Sequence, residues 1–238
     1  MPVHIPIVYN DDAIIVVNKP NNLLVHHSYY ARNIEENSLV QLMKESQGDH
    51  IYSVHRLDRK TSGLLVFAKS PEIAALLQTQ FENQSIEKQY YALVRGFTPP
   101  NGIIDSPIKK DETEIYQNAL TYFNTIESVE IDFAVAPYST ARYSLISLLP
   151  KTGRMHQLRK HTNKIAHPII GDPKHGNRHH NHFFISHFKC DKLFLHAAKL
   201  SLVHPFSQVK MNFSADFPDF WDEILTEMGF EVVLNSIL

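Results

Sequence analysis

KQYYALVRG, residues 88–96, sets two tyrosines, an alanine, a leucine and a valine in succession ahead of an arginine and a glycine. β-Branched and aromatic side chains suit a pleated, half-buried surface, so the run predicts a strand. NALTYF at 118–123, RYSLISLL at 142–149 and LFLHAAKLSLV at 193–203 have the same character. Upstream, IPIVYN and AIIVVNKP flank a polar Asp11-Asp12 turn and predict a hairpin, while GLLVFAK at 63–69 is a short apolar run bounded by turn residues, the pattern of a buried strand. Strands that succeed one another through turns argue against the regular strand and helix alternation of a doubly wound fold. The expected class is α+β, with a mixed, largely antiparallel central sheet flanked by helices and one domain over residues 1–238.

Helices are fewer. Ser70 is a good N-cap with Pro71 at the first helical position, and Ile73, Leu76, Leu77, Gln80 and Phe81 then recur at helical spacing. Residues 38–47 are weakly helical. From Arg154 a further helix is expected, with Met155, Leu158, Thr162 and Ile165 on one face, Arg159, Lys160 and Lys164 elsewhere, and Pro168 as its stop. The His-rich stretch 177–187 reads as a loop, and PDFWDEILTEMG at 218–229 as a last helix closed by Gly229.

The chain has 238 residues, 43% hydrophobic and 11% aromatic, which excludes intrinsic disorder. Cys190 is the only cysteine, so a disulfide framework and a multi-thiolate metal site are excluded, and a reducing, cytoplasmic setting is expected. No apolar run approaches bilayer length, and MPVHIPIVYN lacks the basic start and apolar stretch of a signal peptide. Neither GxGxxG nor GxxxxGK[ST] occurs, against a dehydrogenase, kinase or NTPase. The net charge of −2 conceals strong segregation: residues 142–190 hold nine Lys and Arg against one acid, Asp172, and eight of the fifteen histidines. A polyanion can be steered to such a face, although a solvated basic surface has the same composition.

Two clusters can carry chemistry. HRLDRKTSG, 55–63, sets Asp58 among Arg56, Arg59 and Lys60, cations that favour an ionised carboxylate able to act as nucleophile or electrostatic stabiliser; Asp followed by Thr, Ser and Gly is equally good turn chemistry. In PKTGRMHQLRKH, 150–161, a strand ends in a Pro and Gly turn and a helix starts with basic and amide side chains. N–H groups at a helix start and Arg154 or Arg159 can hold a phosphate or a carboxylate, though a lone arginine there is also an ordinary surface residue.

Taken in order, these segments resemble the RluA-type pseudouridine synthases. HRLDRKTSGLL is similar to that family's catalytic Asp motif, KQYYALVRG to its KxYxAxVxG segment and PKTGRMHQLRKH to its TGRxHQ[IL]R motif. VNKP, VHHS at 25–28, HPIIGD at 167–172 and LHA at 195–197 match as well, so the resemblance covers nearly the whole chain. PKTGRMHQLRKH, HPIIGDPKHGN and LHAAKLSLVHPF are most similar to a small tRNA-modifying subgroup, with no N-terminal RNA-binding domain ahead of the catalytic part. One departure is NKPNN in place of NKPxG; Asn22 stands where glycine is usual, and asparagine tolerates a left-handed backbone.

The resemblance implies the pseudouridine synthase fold and isomerisation of a uridine in structured tRNA, in the T stem, to pseudouridine. Asp58 is the implied nucleophile, attacking the ribose C1′ or the pyrimidine ring. Tyr90 stacks on the uracil and assists removal of the C5 proton, with Tyr91 on the other side of its strand. Arg154 pairs with Asp58, and Arg56 fills the gap left by the flipped base. Arg59, His156, Arg159, Lys160, Lys164, Lys174 and Arg178 are expected along the RNA. Product and substrate have the same atoms, so no redox cofactor, nucleotide or metal is implied; the expected partner is tRNA, with no membrane and a monomeric state. Three alternatives stay open: a metal site built from His175, His179, His180, His182 and His187, an RNA-binding module without activity, and a synthase acting on ribosomal RNA.

Overall fold

Two consecutive aspartates start the expected hairpin. The Asp11 carboxylate accepts the N–H groups of Ala13 and Ile14, both at 2.8 Å, and turns the chain from β1 (Ile7–Asn10) into the antiparallel β2 (Ile14–Lys19). The structure, a computed structural model, describes residues 4–27, 36–110 and 113–238. Ser28, the end of the VHHS match, lies outside them. The chain forms two units, residues 1–87 with 197–216 and residues 88–196 with 217–238.

In the first unit β2 pairs antiparallel with β4 (Ser62–Ala68), every residue of which is buried, as a strand covered on both faces should be. The two-residue β3 (Tyr52–Ser53) pairs with the far end of β4. β11 (Leu195–Val203), part of this unit from residue 197, follows β4 in the sheet and carries β12 (Lys210–Ser214). Gly63 has φ +112, and a Cβ there would run into the Ala197 backbone, so the residue that follows the HRLDRKTS run must be glycine. α1 (Leu39–Gln47) has the Ser38 capping box with Gln41, and α2 (Pro71–Glu82) the Ser70 cap expected for it. Val16, Leu64, Val66, Ala74, Leu77, Leu200 and Leu202 form the core of this unit. Leu76 departs from the expected stripe and is 49% exposed. Gln80 belongs to the stripe for a different reason, since its amide donates to the Val203 carbonyl and accepts the Val203 N–H.

In the second unit β5 (Glu87–Arg95, from residue 88), β10 (Ala141–Pro150), β9 (Leu120–Ile131) and β6 (Asn101–Asp105) follow one another, all antiparallel. A separate short ribbon joins β7 (Ile108–Lys109) to β8 (Tyr116–Gln117). β9 runs eight residues beyond the NALTYF reading, because Asn124, Thr125, Glu127, Ser128 and Glu130 make its second half largely polar and lower its apolar signal. The helix after the TGR turn is α3 (Gln157–Lys164); it begins three residues later than expected, leaves Met155 46% exposed, and ends well before Pro168 through a left-handed Ala166.

The His-rich stretch is a helix rather than a loop. α4 (Arg178–His187) is capped by Asn177, whose side chain accepts the N–H groups of His179 and His180, and it buries His180 and Phe184 one turn apart. Histidine is a weak helix former, so the buried face, not propensity, decides this element. α5 (Asp219–Glu227) buries Trp221, with Gly229 left-handed just after it. The α+β class with a largely antiparallel sheet is the architecture found. Among the described residues, no helix is long and apolar enough to cross a membrane.

Candidate active site

In the first unit, two segments far apart in sequence are laced together around Asp58. Lys19, at the end of β2, is fully buried, and its ammonium donates to the carbonyls of Pro20 and Leu23 at 2.9 Å and of Arg59 at 3.0 Å. Asn21 donates to the Lys60 carbonyl, and Arg59 returns a bond from Nε to the Asn22 carbonyl at 3.2 Å. Asn22 has φ 64, the left-handed turn that asparagine was expected to accommodate. The NKPNN turn therefore holds the backbone on the C-terminal side of Asp58. Asp58 itself is half-buried, its carbonyl accepts the Thr61 N–H at 3.0 Å, and the preceding Leu57 is buried.

Burial pushes the Lys19 ammonium down to about 7, against an upward pull from the Asp58 carboxylate, with the Arg59 charge adding to the fall. That coupling puts Lys19 in the field of the expected nucleophile. Arg56 is exposed; after burial, its charge is the cause that lowers the pKa of His26. Arg59 is more committed than expected of an RNA contact, because its guanidinium also pairs with Glu36 at 3.1 Å.

In the second unit, Tyr90 and the TGR turn meet at one end of the β5–β10 pair. Tyr90 stands opposite Leu148, two residues before the strand ends, and a Cβ on Gly153 would lie 3.8 Å from Lys88 Nζ. Tyr90 is half-buried, while Tyr91 is 2% exposed and donates its hydroxyl to the Ile237 carbonyl at 2.6 Å, so the two rings take opposite sides as expected. Burial also pushes the Lys88 ammonium down.

The TGR turn is held by a residue absent from the expected site. Gln157 is buried, and its amide oxygen accepts the Thr152 hydroxyl at 2.7 Å and the Arg154 N–H at 3.0 Å. Its amide nitrogen donates to the Leu120 carbonyl at 3.1 Å and to Thr121 Oγ1 at 3.0 Å. All four hydrogen-bonding positions of the amide are used. Arg154 is half-buried, with Nε donating to the Asn118 carbonyl at 3.1 Å. The glutamine was visible in the TGRMHQ run, but nothing local distinguishes a buried amide from a surface one. Lys19 was hidden in the same way within NKP.

Several expected RNA contacts are corrected or refined. Arg159 is 7% exposed and forks onto Asp172, with Nε to Oδ2 at 2.7 Å and a terminal nitrogen to Oδ1 at 2.8 Å. It is an internal ion pair and leaves the set of phosphate contacts, because its helix face turns inward. Burial pushes the Asp172 carboxyl up, but Arg159 and the N–H groups of His175 and Lys174 outweigh it and hold the group below the usual carboxylate range. Lys160 donates to the Lys109 carbonyl at 3.3 Å and Lys164 to Ser106 Oγ at 2.6 Å, which ties both to the segment around β7. Lys174 and Arg178 are exposed. His156, left-handed at φ 55, shares a hydrogen bond between its Nδ1 and His175 Nε2 at 3.0 Å. The remaining histidines diverge: His180 is buried against the Tyr143 hydroxyl at 2.9 Å, and His187 stacks on Phe183 at 5.2 Å between ring centroids.

Comparison with known proteins places this arrangement. The family model for RNA pseudouridylate synthases matches residues 13–164. tRNA pseudouridine synthase C of Vibrio cholerae is 38% identical over 235 residues, covering 94% of this chain and 96% of its own length. The protein of that name from Pectobacterium carotovorum is 40% identical over 238 residues, covering 96% of this chain and 63% of its own length. The solved structure of human RNA Pseudouridylate Synthase Domain Containing 4 shares the fold, with a TM-score of 0.71 at 24% identity over 95% of this chain and 94% of that one. With the family model spanning more than half of the residues and relatives matching nearly all of them, the chain belongs to the RluA-type RNA pseudouridylate synthases, a family of isomerases.

Proposed function

We propose that this protein is a tRNA pseudouridine synthase that isomerises a uridine in the T stem. The observation that carries the reading is the near full-length similarity to tRNA pseudouridine synthase C, 38% identity over 94% of this chain and 96% of the Vibrio cholerae relative. Support for the chemistry comes from the Asp58 loop, whose backbone is clamped by Lys19 and Asn21 on the side that follows the carboxylate. A nucleophile needs such fixed geometry.

In this reading the Asp58 carboxylate attacks the ribose C1′ or the pyrimidine ring, the bond from C1′ to N1 breaks, the base turns and rejoins C1′ through C5, and the bond to the carboxylate breaks to free Asp58. The C5 proton leaves to solvent and N1 regains one, so atoms and electrons balance without an oxidant or reductant. The family resemblance assigns Arg154 as the partner of the Asp58 carboxylate. Tyr90 offers a stacking face for the extruded uracil, and the exposed Arg56 takes the place the base vacates.

The test is release of tritium from C5 of labelled uridine in tRNA and, separately, in ribosomal RNA. Wild-type protein is expected to release it from tRNA, with Asp58→Asn reducing turnover by at least about 1,000-fold, the scale on which loss of a nucleophile acts. Release from ribosomal RNA alone would reassign the substrate. Near-normal turnover by Asp58→Asn would overturn the mechanism.

A further inference from the structure

Val66 lies within β4 with no exposed surface, so its backbone N–H needs an acceptor inside the protein. β2 lies along one edge of β4, where Val16 stands opposite Val66. The other edge is shared: β11 is the next strand of the sheet there, while β3 pairs only with the last two residues of β4, Tyr52 opposite Ala68 and Ser53 opposite Phe67, and then leaves the ladder. The donor two residues on from Ala68 is the Val66 N–H. It is met by a side chain: His55 Nε2 accepts it at 3.0 Å.

The imidazole is fixed in two further ways. Its face stacks on Phe81 of α2, with ring centroids 4.5 Å apart and 28° between planes. The backbone carbonyl of His55 accepts the Ser53 hydroxyl at 2.8 Å, which ties the residue to the end of β3. A nitrogen that accepts a backbone N–H carries no proton of its own, so this geometry requires the neutral ring with its proton on Nδ1.

We propose that His55 is a positioning residue for Asp58: its ring stands in for a backbone carbonyl as one rung of the sheet and sets where the catalytic loop departs. Two residues, Arg56 and the buried Leu57, separate it from Asp58, with the Thr61 N–H bound to the Asp58 carbonyl beyond. The NKPNN clamp holds the loop on the far side of Asp58, and His55 holds it on the near side. The carboxylate is thereby fixed from both directions, and a displacement of about 1 Å in a reacting group costs on the order of 100-fold in rate. This inference rests on the reading of Asp58 as the nucleophile.

The experiment compares His55→Leu with His55→Gln in steady-state tritium release from a tRNA transcript, together with hydrogen exchange at the Val66 amide. Leucine fills space but offers no acceptor, whereas the glutamine amide oxygen reaches the same N–H. His55→Leu is expected to lower kcat by about 10- to 100-fold with KM within about twofold, and to speed exchange at Val66. His55→Gln should restore kcat to within about threefold of wild type and slow that exchange again. Wild-type kcat in His55→Leu, or equal impairment in both variants, overturns the proposal. So does a rise in KM at constant kcat. If His55→Leu does not fold, His55→Asn, whose amide is one methylene short, takes its place with the same expectation. Wild-type protein that releases no tritium from any RNA would sink the functional reading and this inference with it; active wild type with unimpaired His55→Leu sinks this inference alone.

Discussion

Lys19 illustrates how one side chain links two motifs that are distant in sequence. An ammonium has three donors, and here three carbonyls meet them, those of Pro20, Leu23 and Arg59. A buried charge is tolerated only when it is satisfied to this degree, and removing it strands the buried Leu23 carbonyl without its partner. Lys19→Met is therefore expected to lower stability by about 2 kcal/mol in urea denaturation, the net of lost charge-assisted bonds and relieved burial of the charge. The same variant should lower the rate of tritium release by about tenfold or more, because the Arg59 carbonyl is the anchor next to Asp58. Full activity in a destabilised Lys19→Met would show that the clamp serves folding only. The left-handed turn at Asn22 was foreseeable from the sequence, since few residues accept φ near 64; the identity of the three carbonyls was not.

At the scale of elements, α3 and α4 show propensity yielding to burial. α3 spends Arg159 on Asp172 and Gln157 on the TGR turn, so a helix that reads as a basic surface helix is in part an internal brace. α4 places His180 against Tyr143 in the interior. Burial, then the charges of Arg95 and His179, push the His180 imidazole down to about 4, whereas in the unfolded chain it titrates near the ordinary value of about 6.5. Between those two pH values the unfolded chain binds the extra proton and the folded protein does not. Folding stability must then fall as pH drops from about 6.5 toward 4, and the contribution is intact above 6.5. His180→Asn keeps a polar partner for Tyr143 but cannot titrate. Its loss of stability between pH 7 and pH 4.5, followed by urea unfolding, should be smaller than that of wild type by about 2 kcal/mol. Parallel pH curves for the two proteins would remove His180 as the acid-sensitive group.

At the scale of the whole molecule, the segregated charge is the feature that suits an RNA enzyme of net charge −2. With Arg159 withdrawn into an ion pair, Lys174 and Arg178 are two of the exposed cations of the basic segment, and both were expected along the RNA. Binding of a tRNA transcript should weaken steeply with salt, and Lys174→Ala and Arg178→Ala should each flatten the slope of log K against log salt by about one while leaving kcat unchanged. An unaltered slope in both variants would move the phosphate footprint away from this part of the surface.

The sequence by itself determined β1, β2, β4, β5, β9, β10 and β11, most helices, the order of the motifs and the family they belong to. These properties are read from local pattern: alternation along strands, a cap such as Ser70, and short runs such as HRLDRKTSG. Only the tertiary structure decided which polar groups find each other inside. Lys19 with the Arg59 carbonyl, Arg159 with Asp172, Gln157 with Thr152 and Leu120, and His55 with the Val66 N–H each join groups that composition would have left on the surface or in a loop. The physical reason is that a polar side chain is stable in the interior only with a partner, and that partner is supplied by chain packing, which periodicity along the sequence does not record.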